Sequence, residues 1–318
     1  RDKLEALLKI VHCEVISFSN NDDVDAYVLS ESSMFVAQRR FILKTCGTTT
    51  PLSCVRPLLQ LVKQHAGFSQ VEDVFYSRKN FKRPDLQKNP HQSFEQEVLY
   101  LNSIFKDGTG YCMGTPGKDC WYLYTLSAPK VLQCNNNNNN NNNNDVTMSV
   151  MHEPDQTLEV LMTDLDPKVM AIFTKDLCSS AKEATKKSGI DSIIPEMKID
   201  DYLFEPCGYS MNGLSKNGCY MTIHITPEPE FSYVSFETNI PQATYKDVID
   251  RVLQVFQPGK FVLTVFANKS SLAADFPVEV KKRSSKLKSF GGLECREVQY
   301  CRLRNYDLSF ALYSKFPS

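Results

Sequence analysis

A polar tetrapeptide, Ser-Glu-Ser-Ser at residues 30–33, interrupts two short apolar runs near the start of the chain. The runs, at 27–29 and 34–36, have the composition of β-strands, and a further strand is predicted over 41–46. A polar break between strands gives up apolar burial, so a functional reason is needed to explain it. A serine-rich turn is the more common interpretation of its Glu-Ser-Ser tripeptide, residues 31–33, taken alone.

Length and charge exclude several classes of protein. The 318 residues are enough to bury one large core or two smaller ones. The formal net charge of −1 gives no broad basic field, which argues against nucleic acid or a membrane surface as the main partner. No run approaches the ~20 apolar residues that span a bilayer, and the charged first residues are not typical of a signal peptide.

The eleven cysteines are scattered and include no C-x-x-C pair. With no secretory feature in the sequence, this favours reduced thiols in a cytoplasmic protein. No grouping of histidine, cysteine and carboxylate residues has the spacing of a metal site, so no metal is expected. The chain begins with Arg1 rather than methionine, so we expect a preceding segment in the natural protein.

Strand patterns outnumber helical patterns and occur as neighbouring pairs, with about one helix for every two or three strands. Helices are predicted at 4–11, 51–65, 93–105, 167–175, 180–187 and 244–257. After 41–46, strands are predicted at 74–77, 111–114, 121–124, 157–162, 219–226, 231–237, 261–267, 295–303 and 309–313. This pattern predicts an α+β fold of antiparallel sheets with helices on their outer faces. An asparagine run at 135–144 is predicted to be a disordered surface insertion, or filler for unknown residues.

Three polar features besides the tetrapeptide are candidates for chemistry. Cys46 lies on a predicted strand, where a cysteine is usually inert core. The segment around Ser210 is similar to the G-x-S-x-G elbow of serine hydrolases, but Asn212 replaces the final glycine. Alternation along 222–226 puts His224 on a polar face with two threonines, a position at which histidine is more often structural than catalytic.

Taken together, these features resemble one family, the eukaryotic, animal-type S-adenosylmethionine decarboxylase proenzymes that use a pyruvoyl group. The resemblance rests on six blocks in order, at 27–36, 43–49, 75–80, 154–159, 207–213 and 223–233. It implies a four-layer α/β/β/α sandwich, in which two antiparallel sheets lie face to face with helices outside. It also implies a single domain over 1–318.

The resemblance further implies self-cleavage of the Glu31–Ser32 peptide bond, which leaves Ser32 as a pyruvoyl cofactor. The chains produced would be residues 1–31 and 32–318. His224 would act as the base in processing and Ser210 as its partner, while Cys46 would protonate the decarboxylated substrate. Imidazole and thiol suit these tasks because their pKa values lie near neutral pH. The product would feed spermidine and spermine synthesis.

Two binding sites follow from the same resemblance. The substrate S-adenosylmethionine would contact Leu29, Glu31, Phe204, Cys207 and Glu228. Putrescine, as an activator, would contact Lys44, Phe75, Ser77, Asp155, Thr157, Glu159, Glu237 and Phe266. Alternation over 155–160 puts the two acids and the threonine of that strand on one face, as a diamine site requires. Solvent-facing strand acids are the alternative interpretation.

Four expectations about assembly and identity remain. Family members of this type commonly form homodimers, and they carry an N-terminal stretch before Arg1 with a second adenine-stacking phenylalanine that this sequence does not contain. One alternative function is a catalytically inactive regulatory paralogue that binds a catalytic subunit. A serine hydrolase that uses Ser210 is another.

Overall fold

The computed structural model describes residues 1–126, 153–276 and 289–315. The asparagine run predicted to be a disordered insertion, 135–144, lies outside the described residues. Within them, sixteen strands form three antiparallel sheets, and six α-helices accompany them. Every helix in these ranges is too short or too polar to cross a lipid bilayer.

The strands, numbered in chain order, are β1 (Val15–Asn20), β2 (Val24–Leu29), β3 (Ser32–Ala37), β4 (Arg40–Lys44), β5 (Phe75–Lys79), β6 (Gly108–Gly114), β7 (Cys120–Leu126), β8 (Gln156–Thr163), β9 (Lys198–Leu203), β10 (Tyr209–Leu214), β11 (Tyr220–Thr226), β12 (Tyr233–Thr238), β13 (Lys260–Asn268), β14 (Ser289–Phe290), β15 (Leu293–Arg302) and β16 (Tyr306–Ser314). The helices are α1 (Asp2–Ile10), α2 (Val55–His65), α3 (Phe94–Asn102), α4 (Pro167–Met170), α5 (Ala181–Ser188) and α6 (Lys246–Phe256). Short 3₁₀ helices occur at Pro51–Cys54, Pro84–Leu86, Ala171–Phe173 and Ile190–Ser192.

The sheets divide the chain into halves. The first half forms a four-stranded sheet, β1-β2-β3-β4, and a three-stranded sheet, β5-β7-β6. The second half forms one nine-stranded sheet, β14-β15-β16-β13-β8-β12-β11-β10-β9. The α+β prediction is confirmed, and the first of the two implied sheets is divided into two parts. Helix α2 and its loops separate β4 from β5 in the chain, and these two edge strands share no ladder in the described residues.

Side-chain alternation builds four layers from these sheets. On the outer face of the four-stranded sheet, Met34 packs with Leu8 of α1. On its inner face, Phe35 packs with Leu214 of the nine-stranded sheet. The far face of the nine-stranded sheet is covered by α6, whose Ile249 joins the largest buried cluster. The order is therefore helix, sheet, sheet, helix, and the candidate site residues other than Leu29 and Ser32 lie between the facing sheets.

Local sequence signals fix some helix ends and not others. Ser93, the first residue of the helix predicted over 93–105, caps α3, because its hydroxyl accepts a hydrogen bond from the backbone N–H of Gln96 at 3.3 Å. The helix predicted over 244–257 begins later than expected, although the Thr244 hydroxyl accepts a hydrogen bond from the backbone N–H of Lys246 at 3.5 Å. Tyr245 occupies the N-cap position, and α6 begins at Lys246.

A buried ion pair lies beneath the three-stranded sheet. The Arg78 Nε–H donates to both Glu97 carboxylate oxygens at 3.0 and 2.8 Å, and the Glu97 side chain is fully buried. Tyr76 donates its hydroxyl to Glu97 at 2.6 Å, and His91 Nδ1 lies 2.8 Å from the same carboxylate. The cluster joins β5 to α3 with its polar atoms paired, which is the condition under which a buried charge is tolerated.

We expect Glu97→Gln to lower the free energy of unfolding by about 3–5 kcal/mol, because it leaves the Arg78 charge buried without its counter-ion. Urea unfolding followed by circular dichroism measures the change. Glu95→Gln is the matched control, since Glu95 is exposed on the same helix. Equal stability of the two variants would contradict the prediction.

Candidate active site

The serine-rich tetrapeptide forms a tight hairpin. Leu29 pairs with Ser32 across β2 and β3, so the turn consists of Ser30 and Glu31 alone. The interruption is therefore shorter than the sequence pattern indicated, because both following serines belong to β3. Glu31 has φ 56°, in the left-handed region that costs a non-glycine residue about 1–2 kcal/mol. The strained residue immediately precedes the Glu31–Ser32 peptide bond.

The two serines of β3 point to opposite faces. The Ser32 hydroxyl is fully buried and lies 3.9 Å from the Cys13 thiol, on the side covered by α1. Ser33 points towards the nine-stranded sheet, where its hydroxyl donates to Asn212 Oδ1 at 2.7 Å. Among the described residues, it is Ser33 rather than Ser32 that reaches the polar residues of β10 and β11.

Those polar residues form a hydroxyl–imidazole chain. Ser210 and His224 are direct cross-strand partners, and Ser210 Oγ lies 2.8 Å from His224 Nδ1. On the other side of the ring, His224 Nε2 lies 3.3 Å from Thr222 Oγ1, and that hydroxyl donates to Ser33 Oγ at 3.2 Å. The predicted common face of Thr222 and His224 is thus confirmed.

Burial lowers the pKa of His224 to about 3, and the positive charge of Lys44 acts in the same direction. The imidazole is therefore neutral at physiological pH and keeps a free lone pair for a proton. A neutral imidazole held between two hydroxyls is the form that a general base requires.

The lowered pKa of His224 predicts a pH dependence of stability. Between pH 6.5 and about 3, the unfolded chain binds a proton that the folded imidazole does not bind. Stability is therefore complete above pH 6.5 and falls with decreasing pH, by at most about 1.4 kcal/mol per pH unit from this group. In a Ser32→Ala background, which keeps both proteins uncleaved, His224→Gln removes this contribution. Urea unfolding from pH 7 to 4 compares the slopes, and identical slopes would contradict the prediction.

Cys46 lies on the carbonyl side of the hairpin turn. Its thiol donates to the Glu31 carbonyl oxygen at 3.0 Å, and the Glu31 carboxylate lies 3.9 Å from the sulfur. Burial, and after it the neighbouring Glu31 carboxylate, together raise the pKa of the Cys46 thiol to about 12. The thiol therefore keeps its proton at neutral pH and is available as a hydrogen-bond donor or an acid.

The predicted substrate residues occupy one cleft between the sheets, except Leu29. Glu31, Cys46, Phe204, Cys207, Glu228 and His224 all line it. Phe204 packs edge-on against Tyr202 with ring centroids 4.8 Å apart, while its other side is open to the cleft. Burial and then the neighbouring Glu228 raise the pKa of the Cys207 thiol. Leu29 is fully buried behind the cleft wall.

The predicted putrescine residues line the same cleft farther along β4 and β8. The Lys44 ammonium lies 2.5 Å from Glu159 and 3.0 Å from Glu237, and all three side chains are at most 15% exposed. Burial alone would lower the pKa of Lys44, but the two carboxylates raise it above its usual value. Tyr220 donates its hydroxyl to the other oxygen of Glu237 at 2.6 Å. The interpretation of these acids as solvent-facing is therefore wrong.

Asp155 forms a second polar centre. Arg40 holds it bidentately, with Nη1 at 2.8 Å and Nη2 at 2.6 Å from the two carboxylate oxygens. The Tyr306 hydroxyl donates to Asp155 at 2.6 Å. Phe75 lies against both Phe266 and Tyr306, with centroids 5.2 and 5.1 Å apart, and forms the apolar wall. The remaining two predicted residues, Ser77 and Thr157, also line the cleft.

Sequence reasoning missed several polar partners. These are Cys13, Ser33, Arg40, Asn212, Thr222 as a hydrogen-bond partner, Tyr220 and Tyr306. Alternation along β4 could have found Arg40, since it shares a face with Lys44. No local signal indicates Tyr306, which reaches the site from β16.

The hydrolase interpretation of Ser210 is not supported. Ser210 lies inside β10 and is 1% exposed, with its hydroxyl committed to His224. A nucleophile elbow instead places its serine on an exposed strand-to-helix turn. The Cys46 thiol on the carbonyl of a strained turn and the neutral His224 imidazole in the same cleft indicate an enzyme of another class.

Comparisons with known proteins identify that class. A family model for adenosylmethionine decarboxylase matches residues 1–314. The S-adenosylmethionine decarboxylase proenzyme of Drosophila melanogaster is 51% identical to this chain, over 99% of this chain and 88% of that protein. The proenzyme of Xenopus laevis is 45% identical, over 99% of this chain and 87% of that protein. The crystal structure of a Trypanosoma brucei AdoMetDC-delta26 monomer matches with TM-score 0.61 and 25% identity, covering 89% of this chain and 98% of that one. The chain belongs to the adenosylmethionine decarboxylase family and is a carboxy-lyase.

Proposed function

We propose that this chain is a proenzyme that cleaves itself between Glu31 and Ser32 and then decarboxylates S-adenosylmethionine through the pyruvoyl group that Ser32 becomes. The observation that carries the proposal is the Cys46 thiol on the Glu31 carbonyl of a left-handed, strained turn. A donor on that oxygen stabilises the negative charge that develops when a nucleophile attacks the carbonyl.

Processing starts with the Ser32 hydroxyl. Its oxygen attacks the Glu31 carbonyl carbon, the peptide C–N bond breaks, and an ester joins the two residues. The serine is buried, so water does not compete for the same carbon. Relief of the left-handed φ of Glu31 favours the rearrangement, because the turn is no longer held by a peptide bond.

His224 is proposed to remove the Ser32 α-proton in the next step. The Cβ–O bond then breaks, the Glu31 carboxylate leaves with residues 1–31, and a dehydroalanine remains at residue 32. Water replaces its nitrogen, which departs as ammonia, and a ketone results. The chain through Thr222 and Ser33 supports this role, since it connects the imidazole to the residue adjoining Ser32. Ser210 orients the ring from the opposite side.

The residues around Ser32 fit a pyruvoyl group. A pyruvoyl group supplies a carbonyl that withdraws electrons from a bound amino acid as carbon dioxide leaves. The Cys46 thiol contacts the carbonyl oxygen of the Glu31–Ser32 peptide bond, next to the residue that becomes the pyruvoyl group, and it keeps its proton at neutral pH. It is therefore placed to deliver that proton to the substrate carbon. Glu228 is open to the cleft and has two carboxylate oxygens with which to accept hydrogen bonds from a pair of hydroxyls, and Phe204 offers an aromatic ring for stacking.

Putrescine is proposed to activate this enzyme. Glu159 and Glu237 share a single ammonium group, and their side chains are no more than 14% exposed. Buried carboxylates favour additional cations, and a diamine supplies two on a short apolar chain that matches the Phe75 wall. Lys44 connects this cluster to catalysis, because its charge also acts on His224.

The proposal extends to assembly, cleavage and place. We propose a homodimer of processed protomers, each a single domain cut into residues 1–31 and 32–318. A cytoplasmic location is supported by the cysteines of the described residues, all of which are free. The inactive-paralogue alternative is disfavoured because Ser32, Cys46, Ser210 and His224 are all present.

Denaturing mass spectrometry of the purified protein, together with release of labelled carbon dioxide from carboxyl-labelled S-adenosylmethionine, tests the proposal. We expect two chains, of which the larger starts at residue 32, lacks a free amine and reacts with hydrazines. Ser32→Ala is the control and should remain intact and inactive. An intact wild-type chain that keeps an ordinary serine at residue 32 would refute the proposal. Assays with and without putrescine test the activation separately.

A further inference from the structure

Two cations on β4 face an acidic cluster that consists of Asp155, Glu159 and Glu237. Arg40 and Lys44 are four residues apart, so alternation puts them on one face of the strand. Arg40 pairs with Asp155, the residue before β8, and Lys44 pairs with Glu159 within β8. Glu237 is held by Lys44 as well. Among the described residues, three carboxylates therefore share two cations, and one negative charge has no matching ion.

The two cations differ in how firmly they are held. The Lys44 side chain is 15% exposed and is fixed between two carboxylates. The Arg40 side chain is 42% exposed, and within the described part of the chain it pairs with Asp155 alone. A long side chain at the mouth of a cleft keeps its charge in water by turning outward, whereas a buried one cannot. Arg40 is therefore the cation that can leave at low cost.

We propose that Arg40 is a resident cation that occupies one end of the diamine site and is displaced from Asp155 when a diamine binds. This inference rests on the proposed activation by putrescine. If a doubly charged diamine bound while Arg40 stayed in place, the cluster would change from one excess negative charge to one excess positive charge. If Arg40 turns outward instead, Lys44 and the diamine together match the three carboxylates.

Displacement also explains what the site selects. A monoamine that takes the place of Arg40 exchanges one positive charge for another and leaves the unmatched carboxylate as it was. A diamine replaces the guanidinium and supplies the missing charge. The apolar wall of Phe75 and Phe266 beside Asp155 suits the methylene chain between the two amines. Arg40 thus acts as a specificity-determining residue as well as a competitor.

Because Arg40 has to leave before the diamine binds, the apparent affinity for the diamine equals its intrinsic affinity multiplied by the fraction of molecules in which Asp155 is unpaired. Arg40→Gln removes the competitor and adds negative charge to the site. We therefore expect the putrescine concentration for half-maximal activation to fall about tenfold. Arg40→Lys, which keeps the charge and loses the bidentate geometry, should give a smaller decrease. Arg39→Gln is the matched control, since Arg39 is the exposed neighbour in the same turn.

Chemical rescue gives a second test. In Arg40→Ala, ethylguanidinium at millimolar, non-denaturing concentrations should occupy the place of the side chain and raise the half-activating putrescine concentration again. The wild-type protein should not respond in this way. If the Arg40 variants process too slowly to assay, calorimetric titration of putrescine into Ser32→Ala proteins with and without the Arg40 change measures the same difference in affinity.

The outcomes separate this inference from the proposed function. If putrescine changes neither processing nor decarboxylation of the wild-type protein, activation itself fails. If putrescine activates the wild type but Arg40→Gln leaves its half-activating concentration unchanged or raises it, displacement is overturned while activation stands. A decrease of the same size in Arg39→Gln would also overturn displacement, because it would reflect surface charge alone.

Discussion

His224→Ala is expected to stop processing at the ester, so that purified protein contains residues 1–31 and 32–318 still joined through the Ser32 oxygen. The Ser32 hydroxyl and the Cys46 donor are unchanged, so the acyl shift proceeds, whereas removal of the α-proton loses its base. General bases contribute about 10²–10⁴-fold to such steps, and pyruvoyl formation should slow by that factor. Because the ester and the intact chain have equal mass, they are distinguished by treatment with hydroxylamine followed by mass spectrometry. Hydroxylamine cleaves the ester and leaves a peptide bond intact.

Two controls sharpen this result. His12→Ala removes an exposed histidine and should process normally. Thr222→Val removes the hydroxyl that lies 3.3 Å from Nε2 and donates to Ser33, but it keeps the imidazole, so it should slow processing less than loss of the ring does. Processing of His224→Ala at the wild-type rate would remove His224 from the mechanism. A chain resistant to hydroxylamine would show instead that the imidazole also serves the acyl shift.

The parts of the fold that depend on short stretches of sequence were predictable. Apolar alternation located β11 to β13 approximately, and the serine cap located α3, whereas no strand was predicted at the position of β10. The order of strands in the nine-stranded sheet was not predictable, because β8 pairs with β12 and β13 rather than with a strand adjacent in the chain. Such pairings depend on the complementarity of whole faces, which no short window of sequence contains.

The site divides in the same way. The family resemblance supplied its residue types, and strand period supplied the shared face of Asp155 and Glu159. The Arg40–Asp155 pair joins residues 115 apart and depends on the distance between two sheets. The strain at Glu31 was also hidden, since glutamate has no preference for the left-handed region and is held there by the hairpin around it.

Cys46→Ala is expected to impair two reactions, because one thiol contacts the scissile carbonyl and bears the proton needed after decarboxylation. Loss of an oxyanion donor costs about 10²–10³-fold where the donor is a strong one, and a thiol is a weak donor, so cleavage should slow about tenfold. After long incubation the cleaved protein can be assayed. Its decarboxylation should then be slower by about 10²–10⁴-fold, since the proton donor is missing.

Cys46→Ser separates the two roles. A serine hydroxyl still donates to the Glu31 carbonyl, so cleavage should proceed close to the wild-type rate. An alcohol is a far weaker acid than a thiol, so protonation of the substrate carbon should stay as slow as in Cys46→Ala. Cys54→Ala is the control for loss of a nearby buried thiol. Cleavage is followed by denaturing mass spectrometry and decarboxylation by released carbon dioxide. Wild-type decarboxylation by cleaved Cys46→Ala protein would assign the proton to another group, and equal loss of cleavage in both variants would remove the thiol from the carbonyl step.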